Sequence, residues 1–194
     1  MLIGTHMLMA KNILKNMNEN KKNMLSNFNF IYGNIKPDIL SKYKLKKHYA
    51  KESYSMVLNK IINLSKLSIM DIEKNIAIIK FSQELGVICH FLCDFFCIAH
   101  SETWREKYKI FTHISYEKKL ASKAKKFNFD NAIVQMQICD IGLFMENCFR
   151  QHEKESNFNN DISFAYYVCS NIIDYILECI INNSFNGKHI SKII

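Results

Sequence analysis

The sequence is poor in turn formers. Among 194 residues there is one proline, Pro37, and only five glycines, far too few for the many short connections of an all-β protein. Long helices with short links fit better. Seven cysteines are present but no Cys-x-x-Cys pair, so a zinc-ribbon arrangement has no basis. The most apolar run, residues 85–99, is too short to cross a bilayer and contains His90 and Asp94, so no transmembrane helix is expected. The opening MLIGTHMLMAKN has neither a charged n-region nor a long apolar stretch. Together with an odd number of cysteines, this leads us to expect a cytoplasmic chain with free thiols. No repeat or low-complexity linker divides the sequence.

What is present is apolar and basic. Hydrophobic residues make up 48% of the chain, enough for one substantial core, and we expect a single all-α domain over residues 1–194. Helices are expected at about residues 6–17, near Leu25, at 48–64, from a cap at Ser68 or Asp71 through to about Ala99, and at 113–126, 130–151 and 161–183. Residues 33–38, which include Pro37, are expected to form a loop. Cys89, Cys93 and Cys97 recur at helical spacing and are read as a buried stripe rather than a soft-metal face. The net charge of +8, with lysine clusters over residues 42–51 and 118–126, suits phospholipid headgroups or nucleic acid as a partner. A general richness in Lys, Asn and Ile explains the charge equally well.

His90 and Asp94 lie one helical turn apart, as do His113 and Glu117. Such pairs deliver two preoriented ligands to a divalent metal. One pair alone is weak evidence, and His48 with Glu52 is a third instance. The surroundings add weight, because an imidazole and a carboxylate in the least polar segment need a partner or a metal.

The ordered set His6, Asp38, His48, His90, Asp94, His100, His113, Glu117 is more specific. Its central block is HFLCDFFCIAH and its last pair HISYE, preceded by THMLMA, YGNIKPD and HY. This pattern resembles the trinuclear zinc signature of the zinc-dependent phospholipases C and the related single-strand nucleases. The resemblance covers residues 1–117, leaving 118–194 as helical scaffold. It implies an all-α bundle of that type holding up to three zinc ions. Asp38, His48, His90 and Asp94 would hold one. His6 and Asp94, which bridges, would hold a second. His100, His113 and Glu117 would hold the third.

In the family the second zinc is completed by the N-terminal residue, typically a Trp. Here Met1 stands five residues before His6, and its amine is the expected ligand; two ions remain if that site is empty. The resemblance further implies a phosphodiester hydrolase that cleaves a glycerophospholipid to diacylglycerol and a phosphorylated headgroup. Metals clamp the phosphate oxygens, and Asp38 helps to orient or deprotonate the attacking water. A monomer touching an anionic membrane surface is expected. The alternatives are a single-strand nuclease or nucleotidase with the same cluster, or a non-catalytic helical metal-binding scaffold. A helical phosphohydrolase of the His-Asp type is excluded, because the chain has no His-Asp dipeptide.

Overall fold

The computed structural model describes residues 1–40, 48–101, 104, 110–132 and 135–190. Among them there are helices and no strands. We label them α1 Ile3–Asn16, α2 Glu19–Lys22, α3 Asn27–Ile39, α4 Ala50–Ser65, α5 Ile69–Asp71, α6 Ile78–Phe95, α7 Ile110–Ala124, α8 Ile141–His152 and α9 Phe158–Ile190. A π-helical turn, Ile72–Ile76, precedes α6, and short 3-10 turns lie at Ile98–His100 and Asp130–Ala132.

The centre of the bundle is α6. Thirteen of its residues are buried on all sides, Leu85, Ile88, Phe91 and Leu92 completely, as expected of a helix without a polar face. Helix α9 lies against it and buries Ile162, Ile172, Ile173, Ile176 and Leu177. In α1 the buried residues Thr5, His6, Met9, Ala10, Ile13 and Leu14 recur at helical spacing, so one face meets the core.

Four expectations need correction. Residues 33–38 are not a loop: they complete α3, and Pro37 sits in its last turns. The ring removes one backbone donor but leaves φ helical, and the amide of Leu40 still closes the helix on the Lys36 carbonyl at 3.0 Å. The long helix expected up to Ala99 is broken twice. Ser68 and Asp71 together form a capping box on α5, then Ala77 turns the chain with φ of 65°, and α6 ends at Phe95. The expected helix over 130–151 is likewise a 3-10 turn followed by α8. Finally, α9 contains a stretch, Phe158–Phe185, long and apolar enough to cross a membrane. In this structure 56% of its most apolar window is buried in the bundle, which marks it as a core helix.

Candidate metal centre

The ligand geometry starts from two glycines. A Cβ on Gly33 would stand 2.2 Å from the Gln83 carbonyl oxygen, and one on Gly86 would stand 2.3 Å from that of Phe30. Helices α3 and α6 therefore touch backbone to backbone. One turn beyond Gly86, the Nδ1–H of His90 donates to the Asn34 carbonyl at 2.8 Å. This bond fixes the tautomer and leaves the Nε2 lone pair free. Burial, reinforced by nearby His6, keeps His90 well below the usual imidazole range, hence neutral.

That lone pair faces an unusual set of groups. Nε2 of His90 is 3.0 Å from Nδ1 of His48, 3.3 Å from Oδ2 of Asp94 and 3.7 Å from Oδ1 of Asp38. His48 Nδ1 is 2.7 Å from the same Asp94 oxygen. A lone pair aimed at carboxylate oxygens is repulsive unless a cation lies among them. Ligands bound tetrahedrally to zinc at about 2.0–2.2 Å stand roughly 3.3 Å from one another. The observed separations are of that size, and the donors are the nitrogen and oxygen atoms that zinc takes.

Asp94 is fully buried and divides its oxygens. While Oδ2 faces His48 and His90, Oδ1 faces the Met1 amine, with which it pairs closely. Oδ1 also lies 3.3 Å from His6 Nε2 and 3.6 Å from His100 Nε2. Burial alone would raise the Asp94 carboxyl; the Met1 amine and the imidazoles of His100, His6 and His90 instead hold it well below its usual range. His6 is completely buried, and beyond the 3.3 Å approach of its Nε2 to Asp94 its ring nitrogens make no well-aligned hydrogen bond, an arrangement that a further partner would satisfy. His6 also stacks on His90, ring centroids 3.9 Å apart, and comes within ligand distance of Asp38. It thus stands between the first two ligand sets rather than in the second alone.

The Met1 amine also lies 3.0 Å from His100 Nε2 and 3.1 Å from Glu117 Oε1. Burial would lower its pKa, but Asp94, Cys97 and Glu117 outweigh burial and bring it up to about 11. In the metal-free chain an ammonium therefore occupies the space among these carboxylates.

The third set gathers on a short turn and a helix. His100 Nε2 is 3.0 Å and His113 Nε2 3.4 Å from Glu117 Oε1. Burial would raise Glu117, but both imidazoles hold it far below the usual carboxylate range. The turn bearing His100 is tied down from α9. Asp161, fully buried in the first turn of that helix, accepts from the Ile98 amide and from the Tyr116 hydroxyl, both at 2.9 Å. Its other oxygen meets His152 Nε2 at 2.9 Å. One carboxylate thereby fastens Ile98, two residues before His100, and Tyr116, next to Glu117. Sequence reading missed it, because His152 and Asp161 stand nine residues apart across a turn and make no motif.

A cleft of about 570 Å³ opens beside His100, lined among others by Tyr49, Lys51, Ser101, Phe149 and His152. Behind the centre, Cys89 and Cys93 meet Cys169 of α9 with their sulfurs within 4.8 Å; all three are buried free thiols. Cys97 is not in that group. The lysines at 42–47 lie outside the described residues.

The deciding comparison is with protein families. The family model for zinc-dependent phospholipase C matches residues 5–166. The chain belongs to this family. The match runs past Glu117 to take in α8 and the start of α9 with Asp161, so the helices beyond the ligand set are part of the family's fold. No curated protein and no solved structure matches the chain. As a zinc-dependent phospholipase C family member it is expected to use zinc, and several of its ligand clusters are suited to that ion.

Proposed function

We propose that this protein is a zinc-dependent phosphodiester hydrolase that cleaves a glycerophospholipid to diacylglycerol and a phosphorylated headgroup. One observation carries the reading: buried Asp94 is shared between ligand groups, and His100, 3.6 Å from it, lines an open cleft. Asp38, His48, His90 and Asp94 would hold the first ion, Asp94 and the Met1 amine the second, with His6 between these two sets, and His100, His113 and Glu117 the third. Zinc there supplies Lewis-acid polarisation of the phosphate oxygens and acidifies water.

The chain's own residues do the rest. Asp38 is only partly buried, its side chain 23% exposed. In the metal-free chain burial, opposed by His6 and helped by Asp94, raises its carboxyl above the usual range; its place at the edge of the first ligand set, not that shift, is what suits it to receive a proton from water. It takes the proton of the attacking water. Lys51 and Ser101, at the cleft wall, are suited to orient a phosphate. All seven cysteines are free, which supports action in a reducing compartment.

The test uses untagged protein supplied with zinc, given phosphatidylcholine vesicles and single-stranded DNA in parallel. Diacylglycerol release is expected, falling about 100-fold or more in Asp38→Asn. DNA fragments without diacylglycerol would move the protein to the nuclease branch. Metal binding without either product would leave a scaffold. Adding residues before Met1 should remove one zinc per chain; full metal content in such a protein would remove the amine from the ligand set.

A further inference from the structure

Helix α7 turns its ligand face inward and an apolar turn outward. Glu117, Leu120 and Ala124 are buried. Around the helix beside that face, Ile110 is 64%, Phe111 81% and Ile114 39% exposed, Ile114 only three residues before Glu117. Residues 110, 114 and 118 follow one another at i, i+4, and 111 is three before 114, so they share a face. Three large apolar side chains in the first described turn of a surface helix mark an interaction site.

The charge pattern says with what. After that turn, exposed lysines follow at Lys118, Lys119, Lys123, Lys125 and Lys126. The only acid among residues 110–126 is Glu117, buried and turned to the histidines. A protein partner of mixed charge would be matched by mixed charge. An apolar turn backed by lysines alone matches a bilayer with anionic headgroups, whose surface attracts each basic residue. His113 lies between Phe111 and Ile114 in the chain, so the same helix carries a candidate metal ligand.

We infer that the outward face of α7 is a docking surface for an anionic lipid bilayer, with Ile110, Phe111 and Ile114 inserted at the acyl boundary and Lys118 and Lys119 on the headgroups. The inference rests on the phospholipase reading only for its purpose; binding itself needs no catalysis. Docking there would bring the third ligand set to the headgroup layer, where the phosphodiester lies.

The experiment is co-sedimentation of the full chain with vesicles of ether-linked phosphatidylcholine and phosphatidylserine, in chelator, so that hydrolysis and metal play no part. Binding is expected, weaker with pure phosphatidylcholine and weaker at high salt. Phe111→Ser with Ile114→Ser should reduce it at least about 10-fold, and each of Lys118→Gln and Lys119→Gln about 5-fold. These positions are exposed, so the fold is expected to persist, and circular dichroism checks that. No binding, or binding unchanged by all the variants, overturns the inference. Binding that follows these variants in a protein that releases no diacylglycerol from ordinary phosphatidylcholine leaves the surface standing and removes the proposed activity.

Discussion

The first and third ligand sets are held in different ways. Around His90 the scaffold is backbone on backbone: Gly33 and Gly86 let α3 and α6 touch, and the Asn34 carbonyl holds the imidazole. Around His100 the scaffold is a short 3-10 turn whose first amide has no local side-chain cap and is satisfied by Asp161 from a distant helix. The first arrangement is set by what is missing, two side chains. The second is set by one carboxylate that must be present. A ligand on a helix between packed helices needs only the right spacing, whereas a ligand on a turn needs a tie from elsewhere.

Four substitutions probe this contrast, and a fifth, on the exposed surface, sets the lower end of the scale. Asp94→Asn should have the largest effect: its oxygens serve two sets, so zinc analysis should show about two ions fewer per chain and activity at background, against one ion fewer for His113→Ala. Retention of all three ions in Asp94→Asn would show that the carboxylate is not shared. Gly86→Ala should come next, costing about 3 kcal/mol in denaturant unfolding, since backbone rather than a movable side chain blocks the new methyl. It should disturb the His90 set and spare the His100 set. Asp161→Ala should do the reverse, weakening one zinc about 10–100-fold in chelator competition while the other two stay. If it lowered all three alike, the tie would be general rather than local. At the small end, Lys15→Ala breaks an exposed pair with Asp130 at 3.1 Å and should change stability by less than about 0.5 kcal/mol.

Acid sharpens the same picture. In the metal-free chain Asp94 is held below its ordinary value. Its contribution is present above the unfolded value of about 4 and is lost as pH falls through the still lower folded value. Thermal unfolding in chelator should therefore show a midpoint that drops below about pH 4. In Asp94→Asn this drop should be shallower.

Helices and ligand candidates were legible in the sequence because both follow local spacing. Periodicity located α1, α4 and α7 to within a few residues at both ends and α9 at its start, while it merged α5 and α6 into one helix. The i, i+4 pairs His90–Asp94 and His113–Glu117 could be read because a helix makes spacing into geometry. Two kinds of information were hidden. Pro37 suggested a loop, but packing of Gly33 against α6 favours continuing the helix, and only the tertiary contact reveals that. Likewise, the bonds from Asp161 to Ile98 and Tyr116 join residues 63 and 45 positions apart, and no local pattern announces them.

Ala77 offers a separate lever on this protein. Its φ of 65° and ψ of 137° lie where a methyl group is ill suited and glycine is at ease. The kink stands between the π-helical turn Ile72–Ile76 and the first residue of α6. The consequence is a reserve of free energy stored well away from the chemistry. Replacing Ala77 with glycine relieves strain of about 1 kcal/mol or more, part of it offset by the greater freedom of glycine in the unfolded chain. The position is thus a place where the protein can be made sturdier, or left soft, by a single methyl group without any change in what it binds.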